Sequence, residues 1–327
     1  MNSEFVHLHN HSDYSLLDGA QQVSQLIETI SDLNMDSVAL TEHGNMFSVL
    51  PYYKEAKKAG IKPIIGCEVY VAVGSRFDKK TTAEHGWGNN HLVLLVQNYT
   101  GYKNLMKLVT AGYLEGFYYR PRIDIELLRE YNEGLICMSA CLKGEVPERM
   151  IKGDYEGAKK AAITFSEIFP GRYYLEIQNH GIPEELENLK NMKKLSAELG
   201  IPLVCSNDAH YSRKEHWEAH DIHICLGTGK ERSDPNRLRY ATPEFYFKSQ
   251  DEMYNLFKDF PNAIENTRLI ADSIDMKIPM GKYHLPNFPI PEIATTQDPD
   301  EYLKILTKAG AESLYGEISP IINKRIN

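Results

Sequence analysis

The stretch FVHLHNHSDYSLLDGA, residues 5–20, places His7, His9 and His11 at alternate positions and Asp18 shortly after them. Alternate side chains of an extended strand lie on the same face. If this stretch is a strand, it therefore directs three imidazole rings into one small volume. Three solvated histidines could share this spacing by chance, so the interpretation depends on whether the rest of the chain supplies partners for the rings.

The composition of the chain limits its class. The chain has 327 residues and a formal net charge of −9, and the length suits one large domain or two ordinary ones. An acidic chain does not coat nucleic acid by charge alone, although metal ions could supply local positive charge. We expect a cytoplasmic protein without a membrane segment, because no apolar run has spanning length and the start lacks a signal-peptide pattern. Five scattered cysteines do not indicate a disulfide framework.

Apolar runs that alternate with amphipathic segments predict an α/β fold. The predicted strands are SVALT (37–41), KPIIG (62–66), HLVLLV (91–96), GLICMSA (134–140), YYLEIQ (173–178) and IPLVCS (201–206). The predicted helices are 23–33, 155–169 and PEELENLKNMKKLSAELG (183–200), the last ended by its glycine. With FVHLH as the first strand, about seven β–α units predict a barrel-like repeat; an open parallel sheet is the alternative.

The pattern changes near residue 275. The segment MKIPMGKYHLPNFPIPEIATTQDPD (276–300) has five prolines and no periodicity, which is typical of a linker. Helical patterns resume after it. We therefore expect one domain over residues 1–275, followed over 276–327 by a linker and the truncated beginning of a further domain in a longer protein.

Residue types that bind metals follow the ends of several predicted strands. They are Glu42 and His43, Cys67 and Glu68, Cys141, and Asp208 with His210. Loops after the strands of a β/α barrel share one face, so these side chains and the opening histidines would converge there. His, Cys, Asp and Glu bind zinc and similar ions, and carboxylates can bridge two ions. Each residue alone could cap a turn or fill the core, but together they predict a multi-metal site.

Several other histidines are interpreted without a ligand role. His216 and His220 lie four residues apart on a predicted helix that also carries His223, and a spacing of four can bind zinc. No HExxH signature accompanies them, so a partly exposed face is the simpler interpretation. His85 belongs to a polar loop and His284 to the linker.

Several motifs recur together in one known family. They are HLHNHSDYSLLDGA (7–20), EHGN (42–45), GIKPIIGCEVYVA (60–72), GLICMSACLKGE (134–145) and SNDAHY (206–211). Together they resemble the polymerase and histidinol phosphatase (PHP) superfamily. GFYYRPRID (116–124), SRFDKK (75–80), EIQNHG (176–181) and YHLPNFPIP (283–291) resemble the N-terminal PHP domain of bacterial replicative DNA polymerase III alpha subunits rather than a stand-alone phosphatase. The resemblance covers nearly the whole chain and implies a distorted (β/α)₇ barrel, then the beginning of the polymerase core.

The resemblance implies a trinuclear metal site. The nine implied ligands are His9, His11, Asp18, His43, Glu68, His91, Cys141, Asp208 and His210. The expected groups are His9, His11, Glu68 and Asp208 around one ion, Glu68, His91 and Cys141 around the second, and Asp18, His43 and His210 around the third. Glu68 is the expected bridge. His7 stands where the family has a non-ligating acidic residue, so we expect His7 to orient a ligand, with His180 in a similar supporting role.

One implied ligand conflicts with the strand-end argument. His91 opens its predicted strand instead of following it. In an all-parallel barrel it would therefore face the wrong end, so either the strand boundary or the regularity of the barrel fails there.

The resemblance also implies a function. It implies a metal-dependent phosphodiesterase, a 3′–5′ exonuclease that proofreads during DNA replication, with Asp18, Glu68 and Asp208 as catalytic residues and three ions of Zn²⁺ or Mn²⁺. The implied partners are a DNA 3′ end, the remainder of the polymerase alpha subunit and other replisome subunits, and the polymerase active site is expected to lie outside this chain. Arg120 and Arg122 would contact DNA or the polymerase core, or form a surface ion pair. A non-catalytic metal-stabilised scaffold and a stand-alone phosphomonoesterase remain alternatives.

Overall fold

The computed structural model describes residues 4–80, 88–283 and 285–326. The chain divides between Ile278 and Pro279 into two compact units. The domain boundary that we predict near residue 275 concerns the longer protein and stays a prediction. His85 and His284, which we interpreted as loop and linker residues, lie outside the described residues.

The first unit alternates strands and helices along most of its length. The strands are β1 (Ser37–Leu40), β2 (Lys62–Ala72), β3 (Asn89–Val96), β4 (Arg122–Ile123), β5 (Leu135–Met138), β6 (Tyr173–Ile177) and β7 (Leu203–Cys205). The helices are α1 (Val23–Asp32), α2 (Val49–Lys58), α3 (Tyr99–Leu114), α4 (Ile125–Glu130), α5 (Glu145–Ile151), α6 (Tyr155–Ile168), α7 (Pro183–Leu199), α8 (Trp217–Thr228), α9 (Gln250–Leu256) and α10 (Pro261–Ser273). A 3₁₀ turn, Lys214–His216, precedes α8. All six predicted runs form strands, although β2 continues to Ala72.

The strands form one curled sheet in the order β1-β2-β3-β5-β6-β7, with β4 beside β2. Four of the neighbouring pairs are parallel, but β3 runs antiparallel to both β2 and β5. The expectation of a regular parallel repeat is therefore wrong at β3. Because β3 runs in the opposite direction, its first residues lie at the same end of the sheet as the last residues of its neighbours.

The opening stretch connects the two ends of this sheet. It is not a continuous strand but pairs through isolated bridges, from His7 to Val38 beside β1 and from Asn10 to Ala209 beyond β7. The amide of Ala39 donates to the carbonyl of His7, and the amide of His11 donates to the carbonyl of Ala209. Residues 7–11 therefore close the curled sheet and lie between its first and last strands.

The core lies between the sheet and the apolar stripes of the surrounding helices. All residues of β2 except the first are buried, because helices or loops cover both of its faces. Helix α7 shows how the sequence sets the helix boundaries: Pro183 begins it, and Gly200 ends it with a φ of 67°. Its Leu189, Met192 and Leu195 recur at helical spacing and are buried.

In its described residues, the second unit contains two helices, α11 (Pro299–Tyr315) and α12 (Pro320–Ile326). The described part of its proline-rich segment before α11 has no regular secondary structure, as the sequence predicts. Among the helices of the described ranges, none has both the length and the apolar character needed to cross a membrane.

Candidate metal centre

The nine residues implied as ligands converge at one end of the curled sheet. They come from the opening stretch, from the loops after β1, β5 and β7, and from β2 and β3: His9, His11, Asp18, His43, Glu68, His91, Cys141, Asp208 and His210. The convergence results from the topology, because the closing stretch, the parallel strand ends and the start of the antiparallel β3 all meet at this end of the sheet.

Glu68 lies at the centre of the cluster. Its Oε1 atom is 2.7 Å from His91 Nδ1 and 3.4 Å from His9 Nε2. Its Oε2 atom is 2.5 Å from His43 Nδ1 and 3.8 Å from His11 Nε2. One carboxylate therefore contacts four imidazoles with its two oxygens, which is the arrangement that a bridging ligand requires.

The direction of β3 explains the position of His91. Tyr70 of β2 pairs with His91, and Glu68 pairs with Val93. Side chains that are two residues apart on a strand share a face, so His91 lies on the same face as Glu68. Cys141, which follows β5, completes this side of the cluster with its Sγ atom 3.7 Å from His91 Nδ1.

Asp208 connects the histidines of the opening stretch to the loop after β7. Its Oδ1 atom lies 3.2 Å from His11 Nε2 and 3.4 Å from His9 Nε2. Asp208 has a φ of 45°, and Ala140, the residue before Cys141, has a φ of 63°. Non-glycine residues adopt the left-handed region, with positive φ, only at a cost in conformational energy. The surrounding structure therefore holds two loops of the cluster in strained conformations.

Asp18 and His43 form a partly exposed edge of the cluster. Asp18 Oδ1 lies 3.2 Å from His43 Nε2, and both side chains are 17% exposed, whereas the side chain of Glu68 is 1% exposed. Gly19 makes the turn at Asp18 possible, because a Cβ atom there would lie 1.8 Å from the carbonyl oxygen of Ser12. His220 Nε2 lies 2.7 Å from the backbone oxygen of Asp18.

Two features of the clustered side chains suit metal ions: buried ligand atoms that lack hydrogen-bond partners, and the types of donor atom. Within the cluster, five ligand atoms are buried without a partner in hydrogen-bond geometry: His9 Nε2, His11 Nε2, His210 Nε2, Asp18 Oδ1 and Asp208 Oδ1. Buried polar atoms without partners are costly, so cations bound among them would stabilise the folded chain. Imidazole nitrogen, carboxylate oxygen and thiolate sulfur are the donors that zinc takes in proteins.

In the described part of the chain, three groups each have ligand atoms that all lie within 4.8 Å of one another: His9 with His11 and Asp208, Glu68 with His91 and Cys141, and His11 with His43 and His210. The second group includes all the residues that we expected around the second ion. The third contains His11 where we expected Asp18. His11 therefore lies between two groups, and its ring stacks on that of His43 with the centroids 3.9 Å apart.

Burial and charge act in opposite directions on the ionisation of the cluster. Burial opposes the ionisation of Glu68, but the charges of His91 and His43 outweigh it and hold the pKa of Glu68 well below its usual range. Burial lowers the pKa of His11 to about 3, and repulsion from His43 contributes. Ionised carboxylates and neutral imidazoles are the forms that bind cations, so Glu68 and His11 lie in the state suited to ligation. For His43, burial is outweighed by Asp18 and Glu68, which raise its pKa well above the usual value, so a cation that binds there would replace a proton.

The residues that support the cluster were only partly visible in the sequence. His180, expected in this role, lies 2.7 Å from Glu185 Oε1 and 2.9 Å from the carbonyl of Asn207, next to Asp208. Glu176 was missed: its Oε1 atom lies 2.7 Å from His9 Nδ1. It belongs to β6 and is separated from His9 by more than 160 residues, so only its place in the EIQNHG motif could have drawn attention to it.

Glu42 also supports the cluster rather than joining it. Its carboxylate accepts hydrogen bonds from the hydroxyls of Ser12 and Ser15. The Ser15 hydroxyl lies 3.1 Å from His11 Nδ1 and also accepts a hydrogen bond from the amide of His43. Glu42 therefore holds the Ser15 hydroxyl in place between the ring of His11 and the backbone amide of His43.

His7 does not have the position that we expected. Its Nε2 atom lies 2.9 Å from the carbonyl of Lys248, and its ring packs edge-on against Phe5 and Phe247. Burial lowers the pKa of His7 to about 4, so the ring is neutral at neutral pH. Positions two residues apart on an extended chain are about 7 Å apart, which places His7 further from the convergent end than His9. The expected contact between His7 and a ligand is replaced by the contact with Lys248.

Arg120 and Arg122 differ in their exposure to solvent and in their contacts. Arg122 is 1% exposed and donates to the carbonyls of Gly116, Arg76 and Asp78, so the expectation that it contacts DNA, the polymerase core or a surface acid is wrong. A buried guanidinium with three backbone acceptors has a structural role. Arg120 is exposed and lies over the ring of Tyr70, with 5.7 Å between its Cζ atom and the ring centroid.

The helix at 217–228 also differs from the interpretation made from the sequence. His216 is exposed in the preceding 3₁₀ turn, but His220 is 2% exposed and contacts Asp18, as described above. The partly exposed histidine face that we expected is therefore wrong for His220. The sequence could not show this contact, because His220 and Asp18 are about two hundred residues apart.

Tyr240 is a further side chain at the edge of the cluster that sequence reasoning missed. It lies in the irregular segment between α8 and α9, and its hydroxyl is 3.4 Å from Asp18 Oδ2. Its ring centroid is 5.0 Å from that of His210 and 4.8 Å from that of His220. Burial, followed by the nearby carboxylate of Asp18, raises the pKa of Tyr240 well above its usual value, so the phenol keeps its proton.

Comparisons with known proteins agree with this architecture. The profile of the PHP domain matches residues 7–180. The chain is 48% identical over 324 residues to DNA polymerase III subunit alpha of Borreliella burgdorferi and 44% identical over 324 residues to that of Treponema pallidum. These alignments cover 99% and 98% of this chain but 28% and 27% of the relatives, so the chain spans about a quarter of the length of the curated relatives it matches.

Solved structures give a more distant likeness. An amidohydrolase from Chromobacterium violaceum, solved with bound sulfate and no metal, aligns with 67% of this chain and 96% of its own. The TM-score is 0.43 and the sequence identity is 12%.

Proposed function

Because the chain belongs to the PHP domain family, we propose that it is the PHP module of a bacterial DNA polymerase III alpha subunit and acts as a metal-dependent 3′–5′ exonuclease. The observation that carries the proposal is the cluster of nine side chains with five buried, unpartnered ligand atoms. Such a cluster costs stability unless cations bind in it, and its partly exposed edge at Asp18 and His43 gives a phosphate a direction of approach.

The proposed site would hold three ions, of Zn²⁺ or Mn²⁺, because it contains three groups of closely spaced ligand atoms. Metal ions bound there would lower the pKa of a water molecule and neutralise negative charge on a phosphate. Glu68, with contacts to four histidines, would hold the ions close together. Asp208 would fix the inner group through His9 and His11, and Asp18 would hold the outer group at the exposed edge with His43.

The proposed reaction removes the last nucleotide of a DNA strand. A water oxygen forms a bond to the phosphorus, the bond between the phosphorus and the preceding nucleotide's 3′ oxygen breaks, and that oxygen takes a proton. The products are a nucleoside monophosphate and a strand with a free 3′ hydroxyl. Removal of a mispaired nucleotide in this way is proofreading, and the remainder of the alpha subunit and other replisome subunits would be the partners.

Asp18→Asn tests the proposal. The substitution keeps the shape of the side chain but removes its charge, so we expect nucleotide release from a 3′-labelled single strand to fall by about a hundredfold or more. Circular dichroism should be unchanged. Asp13→Asn is the matched control, since Asp13 is an exposed acid of the same loop and should leave the rate unchanged. Both variants are stripped with a chelator and reloaded with zinc or manganese before assay.

Three results would contradict the proposal. Equal rates for Asp18→Asn and the original chain would remove Asp18 from the reaction. Hydrolysis of histidinol phosphate but not of DNA would show a phosphomonoesterase. Elemental analysis that finds bound metal in a chain that cleaves neither substrate would show a scaffold.

A further inference from the structure

Tyr240 belongs to a part of the chain that the PHP domain profile does not reach, since the profile ends at residue 180. Its hydroxyl nevertheless lies at the partly exposed edge of the candidate metal centre, beside Asp18. The contact with Asp18 Oδ2 is 3.4 Å long, whereas an O–H···O hydrogen bond is usually between about 2.5 and 3.0 Å. The hydroxyl hydrogen is therefore available to a stronger acceptor nearby.

The segment that carries Tyr240 is held by an ion pair with little exposure to water. Arg237 donates from its two terminal nitrogens to the two carboxylate oxygens of Asp221, at 2.6 and 2.8 Å. Arg232 adds a third hydrogen bond to Asp221 at 3.2 Å. The side chains of Arg237 and Asp221 are 6% and 11% exposed, so the pair is a fixed anchor rather than a transient surface contact.

Helix α8 contacts both the segment that carries Tyr240 and the loop that carries Asp18. Asp221 of α8 holds the segment of Tyr240, and the preceding residue, His220, contacts the backbone oxygen of Asp18. One turn of one helix therefore sets the distance between the phenol and the carboxylate. The ring of Tyr240 also packs perpendicular to that of Phe245, with the centroids 4.5 Å apart, which restricts its rotation.

We propose that the hydroxyl of Tyr240 donates a hydrogen bond to a non-bridging oxygen of the scissile phosphate. The inference rests on the proposed function, because it names a substrate contact in the same site. A phosphate oxygen that approaches beside Asp18 carries more negative charge than water and is a strong acceptor for a neutral phenol. As a hydrogen-bond donor at this edge, Tyr240 would stabilise negative charge on the phosphate.

Tyr240→Phe removes the hydroxyl and keeps the ring. Tyr246→Phe is the matched control, because Tyr246 lies on the same segment and its hydroxyl donates to Glu252 at 2.6 Å, outside the cluster. Both proteins, loaded with zinc or manganese, are compared with the original chain by nucleotide release from a single strand, by elemental analysis and by calorimetric binding of thymidine 5′-monophosphate. For Tyr240→Phe we expect kcat/KM to fall by about ten- to a hundredfold and the affinity for the monophosphate by about three- to tenfold, at unchanged metal content.

The three measurements separate this inference from the proposed function. If the original chain cleaves no DNA but binds the monophosphate more tightly than Tyr240→Phe does, the exonuclease proposal fails and the phosphate contact stands. If Tyr240→Phe cleaves and binds like the original chain, the inference is overturned. If Tyr240→Phe loses metal in proportion to activity, Tyr240 orients Asp18 instead of contacting substrate, and the inference is overturned as well.

Discussion

Glu176→Gln tests whether the metal centre depends on a carboxylate that does not belong to it. Glu176 is 1% exposed, and its Oε1 atom lies 2.7 Å from His9 Nδ1. Gln178 donates to the same oxygen at 3.0 Å, and the Ser206 hydroxyl donates to it as well. Glutamine has nearly the same volume and keeps an acceptor oxygen for these three donors, so the substitution removes the charge and little else.

The expected magnitude follows from the change in one hydrogen bond. A bond to a charged acceptor contributes about 1.5–3 kcal/mol and a neutral one about 0.5–1.5 kcal/mol, so the difference is about 1.5 kcal/mol. That free energy corresponds to about a tenfold weaker metal affinity at His9, at the lower end of the range for lost partners of metal ligands. Alanine would leave His9 Nδ1 without its acceptor and would confuse a loss of affinity with a loss of stability.

Competition with a fluorescent zinc chelator measures the affinity directly, and thermal unfolding with and without zinc measures the same quantity by linkage. Glu252→Gln is the control, because Glu252 binds the hydroxyls of Tyr246 and Ser249 outside the cluster. If Glu176→Gln binds zinc as tightly as the original chain, the charge of Glu176 does not act through His9 and the reasoning fails.

Two further predictions concern the framework around the site. Arg122→Ala should lower the free energy of unfolding by about 2–3 kcal/mol, because it removes a buried side chain and the donor to the carbonyls of Gly116, Arg76 and Asp78. Arg120→Ala should change it by less than about 0.5 kcal/mol. Urea unfolding compares the two variants, and similar values would refute the structural role of Arg122. The hydrogen bonds from Arg237 hold the pKa of Asp221 below its usual value. The stabilisation by Asp221 is therefore present above its unfolded-state pKa, about 3.9, and is lost as the pH falls through the lower folded-state value. Melting temperatures between about pH 3 and pH 6 should depend less on pH in Asp221→Asn than in the original chain, and an unchanged pH dependence would contradict this.

Periodicity predicted the elements of the fold but not the direction of every strand. The runs at 37–41 and 173–178 became strands because the burial of alternating or continuous apolar residues leaves a local signature. The run at 91–96 has the same signature, although β3 is antiparallel to its neighbours. The direction of a strand in the sheet is set by the connections to its neighbours and by which sheet edge is free when it pairs, and neither is a local property of the sequence. The conflict at His91 was the one sign of it in the sequence.

The candidate site shows the same division between local and distant information. The resemblance implied the nine clustered residues, and the strand-end argument found Glu68 and Asp208 independently. The separate expectation for Arg122 failed, because a charged side chain gives no sign in the sequence that it will donate to three backbone carbonyls. Glu176 and Tyr240 were missed because their partners, His9 and Asp18, are more than 160 residues away in the chain.

The sharing of ligands makes the candidate centre a single unit rather than three separate sites. Glu68 contacts four histidines, and His11 belongs to two of the three groups. Removing either residue would therefore disturb more than one group of side chains, and the effects of substitutions in the cluster would not add. Glu176 and Tyr240 lie outside the nine residues, and an isosteric substitution of either one alters a single polar contact with the cluster, at His9 and at Asp18 respectively. Isosteric substitutions at these two positions can therefore separate metal binding from substrate binding, which ligand substitutions cannot do.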